Sequence, residues 1–218
     1  MVNQTQYQEL IGELLYLSNR TRPDLAFVMS YLSQFYHKPE KRHFNLAKRV
    51  LKYLNGTKDK KLFFSNKSGL LNAHADSSWG NAENGKSFSG EIVMLGDSLI
   101  LWKSNKQKTV ALSTCETELV SLGGVCRELM WILILLKELY CSIFVKKPVT
   151  ISSDNQSAID WLNSAKSSSR TRHINLKLHY VKDIIGKIIK VEYVQTDEII
   201  ADFLTKAVTF DKLTWTVS

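Results

Sequence analysis

The sequence predicts an α/β protein: a mixed five-stranded sheet with helices on both faces, preceded by a small all-helical segment. Three observations carry that reading. Through the first sixty residues, apolar side chains recur at helical spacing. From Leu70 onward the texture changes to short apolar runs punctuated by Gly85, Gly90 and Gly96-Asp97. Beyond Cys115, long helical patterns alternate with short strand-like ones, as in a sheet with helices packed on it. The 218 residues suffice for one good core and one smaller neighbour, at roughly 100–200 residues per domain. A 44% hydrophobic and 23% charged composition is that of a folded protein.

Leu10, Leu14 and Leu17, flanked by Ile11 and Leu15, define the first helix. Arg22-Pro23-Asp24 interrupts it before a second apolar stretch from Leu25 to Phe35. A third helix is expected over Phe44–Leu54. It has Leu46, Ala47, Val50, Leu51 and Leu54 on one face and Lys48, Arg49 and Lys52 on another. Asn55-Gly56 is its expected stop. Residues 1–60 thus form a helical segment and 61–69 a lysine-rich link; 70–208 form the sheet domain and 209–218 a tail.

Within the sheet domain, strands are expected at Leu71–Asp76 and Glu91–Leu95. A third is expected at Leu99–Lys103, interrupted by a polar stretch and resumed at Thr109–Leu112. Gly96-Asp97-Ser98 reads as a hairpin turn. A long helix from about Cys115 to Tyr140 follows, then a strand Val149–Ser153, a helix Gln156–Asn163 and a Ser/Lys/Arg-rich loop through Arg172. A helix Ile174–Ile185, a strand Lys190–Val194 and a closing helix Ile199–Ala207 complete the series.

Composition excludes several function classes. Cys115, Cys126 and Cys141 are odd in number and lie in no CxxC arrangement, so they suggest neither a disulfide scaffold nor a zinc site. A reducing, intracellular setting follows. The N-terminus lacks a basic-then-apolar signal pattern. The longest apolar run, Leu129–Leu136, stops at Lys137, which predicts a soluble protein with no membrane partner. The formal charge of +8 is unevenly spread. Residues 1–60 carry +5 and residues 162–190 carry +6, while 61–161 are neutral and 191–218 carry −3. Either block alone reads as a solvated helix face. Two such blocks around a carboxylate-bearing middle are what a nuclease needs, with cations on the phosphate backbone and acids on metal.

The acids fall at telling places. Asp76 ends the first strand and Asp154 the fourth; if those strands are central neighbours, both emerge at one sheet end. Glu116 and Glu118 lie in the first turns of the long helix, and Asp202 in the opening turns of the last. Taken singly, an acid near a helix start serves the helix dipole. The order Asp, Glu, Asp, Asp on strand, helix, strand, helix is more specific. Converging carboxylates need cations between them, and oxygen ligands without His or Cys point to magnesium or manganese.

The motifs around these acids identify a family. Leu10-Ile11-Gly12-Glu13-Leu14-Leu15-Tyr16-Leu17, Thr21-Arg22-Pro23-Asp24-Leu25-Ala26-Phe27 and Ala47–Thr57 resemble the stretch after the polymerase palm in copia-type retrotransposon polyproteins. Lys86-Ser87-Phe88-Ser89-Gly90, Val110–Glu118, Asp154-Asn155-Gln156-Ser157-Ala158, Arg172-His173-Ile174-Asn175 and Ile200-Ala201-Asp202-Phe203-Leu204-Thr205-Lys206 resemble the same family's ribonuclease H domain. The resemblance runs along nearly the whole chain. It implies a ribonuclease H-like fold, preceded by the thumb/connection end of a reverse transcriptase. It also implies cleavage of the RNA strand of RNA–DNA hybrids during reverse transcription, by two-metal-ion catalysis with two Mg2+ or Mn2+ ions.

Carried over residue by residue, the catalytic, metal-holding acids are Asp76, Glu118, Asp154 and Asp202, with Asp76 bridging both ions. Expected partners are the hybrid and the remainder of the polyprotein, in a cytoplasmic virus-like particle or the nucleus. Ser78 stands where the family often carries a second acid, and Ala207 replaces the proline usual after Leu-Thr-Lys. The loop Gln195-Thr196-Asp197-Glu198 lacks the histidine many ribonucleases H place there. Lys166, Arg170, Arg172 and Lys177 are candidate phosphate contacts. His173 is a candidate substrate contact or an exposed structural histidine. Trp79 is a stacking platform or a half-buried aromatic at a strand end.

Of the two glutamates, Ser113 as N-cap and Glu116 three residues on make a capping box, with the Glu116 side chain folding back to the Ser113 N–H. Glu118 stands roughly 200° around the helix from Glu116, so the two cannot share one site. The family match also selects Glu118. Two other readings stay open: a decayed or domesticated module that binds nucleic acid or protein without catalysis, and a DNA-strand transferase of the same broad fold. The second is disfavoured by Glu118 in the middle of the order and Asp202 at its end. No polymerase acid motif is present, so the chain is expected not to synthesise DNA by itself.

Overall fold

A computed structural model describes residues 3–65, 69–164 and 179–209. The chain forms two compact units, one of helices up to Phe63 and the other spanning Phe64–Lys206.

In the first unit, α1 (Gln4–Arg20) starts where the Asn3 side chain accepts the Gln6 N–H. Its Tyr7, Ile11 and Leu14 meet Met29 and Leu32 of α2 (Ala26–Ser33) and Ala47 and Val50 of α3 (Lys41–Gly56). The α1–α2 break is set by Pro23, which opens a 3-10 turn, Pro23–Leu25. It is locked by Arg22, whose guanidinium grips both oxygens of Asp24 at 3.0 and 2.7 Å and reaches Thr57 Oγ1 at 2.8 Å. Helix α3 outruns the expected Phe44–Leu54 at both ends. Glu40 and His43 close a capping box at its start, and Thr57, rather than Asn55-Gly56, caps its end.

The second unit is the expected α/β fold, a mixed five-stranded sheet with helices packed on it. Strands β1 (Leu71–Ser78), β2 (Phe88–Leu95), β3 (Ser98–Lys106), β4 (Val149–Ser153) and β5 (Ile189–Tyr193) lie in the order β3-β2-β1-β4-β5. β1, β2 and β3 are antiparallel, while β1–β4 and β4–β5 are parallel. Gly96, at φ 58, supplies the left-handed turn that lets Leu95 pair with Ser98.

Alternation on β1 turns Leu71, Ala73 and Ala75 towards α4 (Thr114–Glu138), whose Leu119, Leu122, Val125, Cys126, Leu129 and Ile132 fill the core. Ala158 and Leu162 of α5 (Gln156–Asn163), with Val181 and Ile184 of the helical stretch 179–184, extend it. As a whole, α4 is long and apolar enough to cross a membrane. That composition is explained by its place on the sheet, where eleven of its residues are buried.

Three expectations about the sheet domain are corrected. Strand β1 does not end at Asp76: pairing of Ser77 with Ser89 and of Ser78 with Phe88 carries it on to Ser78. The third strand is continuous over Ser98–Lys106, and Thr109–Leu112 belongs to no strand. Gln107 ends it by hydrogen-bonding Ser87, Ser89 and Thr117, which sends the chain towards the start of α4. The closing helix Ile199–Ala207 is instead two 3-10 turns, Thr196–Glu198 and Ile200–Leu204. The second lies on the sheet face opposite α4, beside Gly90, where a β-carbon would sit 2.7 Å from the Ala201 carbonyl oxygen. Thr205 closes it through its N–H to Asp202 O and turns its side chain to the sheet. An α-helical turn is displaced by these contacts.

Candidate metal and active site

The parallel register Ala73↔Ile151 and His74↔Ser152, carried two residues on, sets Asp76 level with Asp154 at one sheet end. Asn155, next in sequence, caps α5 by accepting the Ala158 N–H at 2.9 Å, which leaves Asp154 for the sheet end. α4 starts over the same end. Its N-cap Ser113 accepts from Glu116 N–H, and Glu116 folds back to accept the Leu112 N–H at 2.7 Å, one residue earlier than the capping-box expectation. The helical step then aims Glu118 at the strand, where the Ser77 N–H and hydroxyl donate to its Oε1 at 3.1 and 2.7 Å. Ser121 anchors the helix by donating to the Asp76 carbonyl at 2.8 Å.

Asp76, Glu118 and Asp154 each bring a carboxylate oxygen within 4.8 Å of the others. Burial, opposed by the Thr205 hydroxyl and reinforced by Asp154 and Asp202, pushes the Asp76 carboxyl up to about 6. Burial and then the Asp76 charge push Glu118 up to about 8. Glu118 Oε2 is buried with no hydrogen-bond partner, an acceptor left open inside the cluster. Oxygen-only donors, mutual repulsion and this orphaned oxygen fit a hard divalent cation.

Asp202, the fourth expected acid, lies outside that group of three. It is close enough to raise the Asp76 pKa, but its Oδ1 is paired with the Lys206 ammonium. Thr205 Oγ1 donates to Asp76 Oδ2 at 2.5 Å. Thr205, Lys206 and Ser77 were not among the residues selected from sequence. A signal for Lys206 existed, because Asp202 and Lys206 are four residues apart with opposite charge. Trp79 donates its indole N–H to the Ala111 carbonyl at 3.1 Å and keeps half its ring exposed. Lys166, Arg170, Arg172, His173 and Lys177 lie outside the described residues.

No protein-family model matches the chain. It is 38% identical over 205 residues to the retrovirus-related Pol polyprotein from transposon RE2 of Arabidopsis thaliana, covering 93% of this chain and 14% of that protein. It is 33% identical over 208 residues to the corresponding polyprotein from transposon TNT 1-94 of Nicotiana tabacum, covering 94% of this chain and 15% of that protein. This chain therefore spans about a seventh of the length of these relatives. Among solved structures, it resembles ribonuclease H1 from the archaeon Halobacterium salinarum NRC-1, at 14% identity and a TM-score of 0.44. That match covers 63% of this chain and 95% of that one. Motifs running the length of both units, matched along nearly the whole chain by transposon polyproteins, place it: the chain belongs to the copia-type retrotransposon Pol polyproteins.

Proposed function

We propose that the Phe64–Lys206 unit is a ribonuclease H that hydrolyses the RNA strand of RNA–DNA hybrids, using two Mg2+ or Mn2+ ions during reverse transcription. The observation that carries this reading is the convergence of Asp76, Glu118 and Asp154 at one sheet end. Asp76, Glu118, Asp154 and Asp202 are the metal-holding residues. Bound there, the ions supply a water of lowered pKa and neutralise charge at the leaving 3′ oxygen.

The chain's own groups prepare that site. Ser77 fixes the rotation of Glu118 through Oε1, leaving Oε2 open. Thr205 fixes Asp76 through Oδ2 and draws its pKa down against the neighbouring acids. Lys166, Arg170, Arg172, His173 and Lys177 are proposed to hold the hybrid's backbone. The helical segment is proposed to be the end of the reverse transcriptase, whose remainder is the protein partner.

Labelled RNA–DNA hybrid, double-stranded RNA and double-stranded DNA test the proposal in parallel. The hybrid's RNA strand is expected to be cut only with magnesium or manganese. Cleavage that persists in excess chelator overturns the metal reading. Hybrid binding without cleavage identifies a non-catalytic module, and action on duplex DNA identifies a strand transferase.

A further inference from the structure

Lys206 sits at the edge of the acid cluster, and its environment is lopsided. Its side chain is 48% exposed, whereas that of Asp202, with which it pairs, is 5% exposed. A carboxylate buried that deeply is costly unless a counter-charge accompanies it. Among the described residues, the salt bridge to Asp202 comes from Lys206. The same ammonium also acts on Asp76, lowering its pKa, and interacts with Asp154. Asp202, Asp76 and Asp154 thus share this lysine at the rim of the cluster.

The two partners differ in freedom to move. Asp202 belongs to a turn pinned to the sheet on both sides. Gly90 allows the Ala201 carbonyl and Thr205 to close down on β2, and Thr205 bonds Asp76. The Asp202 side chain, 5% exposed, has little room to turn away. Lys206 is on a flexible four-carbon stem with its head half in water, and it loses little by moving outward. A divalent cation drawn to these carboxylates repels the ammonium, so the mobile partner yields.

We infer that Lys206 is a resident counter-cation: it holds Asp202 aimed into the site in the metal-free protein and surrenders it when a divalent cation binds. Lys206 is therefore a positioning residue, and Asp202 joins the metal after Asp76, Glu118 and Asp154. The inference rests on the metal reading above. It adds a competition that makes the Asp202-dependent ion the weaker of the two.

The test is direct Mn2+ binding, followed by electron paramagnetic resonance of the free ion, on the full chain. Wild type is compared with Lys206→Met, Lys206→Gln, Asp202→Asn and the Asp202→Asn/Lys206→Met double variant; thermal melts without metal run alongside. Removing a unit charge beside the ligand should tighten the weaker Mn2+ site on the order of tenfold in both lysine variants. It should also lower their metal-free melting temperature, and Mn2+ should restore it. In the Asp202→Asn background, Lys206→Met should tighten binding much less, because only the action of the ammonium on Asp76 and Asp154 remains to be removed. Unchanged or weaker Mn2+ binding in both lysine variants overturns the inference while leaving the metal reading intact. An equal gain in the Asp202→Asn background also overturns it, because the effect is then a general one of charge. If wild type and both lysine variants bind no Mn2+, the metal reading itself fails and the inference falls with it.

Discussion

Thr205 Oγ1 donates a 2.5 Å hydrogen bond to Asp76 Oδ2, joining side chains 129 residues apart. The hydroxyl stabilises the ionised form of a carboxyl that burial and two neighbouring aspartates drive towards the protonated one. Thr205→Val keeps the shape and removes the donor. It should cost about 1.5–3 kcal/mol, as for hydrogen bonds to charged groups. It should also move the acid limb of the hybrid-cleavage profile to higher pH, because Asp76 then ionises less readily. Denaturant melts and a pH–rate series check both. A loss of stability with an unmoved acid limb would confine Thr205 to a packing role.

Glu118→Gln should abolish cleavage while the fold survives. The amide oxygen can still accept from Ser77 N–H and Oγ, the bonds that Glu118 Oε1 now takes. Glu116→Gln should keep most activity and cost up to about 1 kcal/mol, through lost charge at the helix start, since its bond goes to Leu112 N–H. Parallel cleavage and melting measurements decide. An inactive, stable Glu116→Gln beside an active Glu118→Gln would reverse the assignment.

Metal-free stability should fall as pH rises. Asp76 and Glu118 move from 3.8 and 4.5 up to about 6 and about 8, so the folded protein holds protons that the unfolded chain has released. Their contribution is fully present below about pH 4 and is lost as pH climbs through about 6 and then about 8. Glu91, which burial pushes up to about 7, adds a slope of the same sign from outside the site. The difference between wild type and Glu118→Gln isolates the part due to Glu118. Mn2+ should oppose the loss, with apparent affinity rising over the same window because it binds ionised carboxylates. Chemical-denaturation curves from pH 5 to 9, with and without Mn2+, measure both; a flat metal-free profile contradicts the protonation argument.

Gly90→Ala should damage the site without touching an acid. The added β-carbon would lie 2.7 Å from Ala201 O and 2.9 Å from both Leu204 Cβ and Thr205 Cγ2, which lifts the turn carrying Asp202 and Thr205. The expected cost is about 1–3 kcal/mol, as for overpacking, with a fall in cleavage. Gly12→Ala is the control. Its β-carbon meets nothing within 4 Å on α1, so it should stabilise by about 0.5–1 kcal/mol. Calorimetric melts of the two variants give the comparison.

Much of the fold was legible because its signals are local. The spans of β4 and α5, Val149–Ser153 and Gln156–Asn163, match the expected ones residue for residue. The Gly96-Asp97 hairpin is set by a backbone conformation that glycine adopts freely. The end of β3 was misjudged because Gln107 stops the strand through side-chain bonds to Ser89 and Thr117. Nothing in the local apolar pattern reports those bonds. The closing helix was misjudged for a related reason. Ile199–Ala207 has a helical pattern, but close packing on Gly90 and the pull of Asp76 on Thr205 favour the tighter turn.

The sequence by itself determined the order of strands and helices, the placing of Asp154 directly after β4, and the choice of Glu118 over Glu116. Side-chain periodicity, turn residues and helical step angle are properties of neighbouring residues and need no folded chain to be read. Only the tertiary structure decided that Asp76, Glu118 and Asp154 stand within 4.8 Å of one another while Asp202 is paired with Lys206. It also decided that Thr205 and Ser77 hold two of the acids in place. Those relations depend on the β1–β4 register and on a turn laid against β2. Burial of the sheet faces fixes both through contacts distant in sequence.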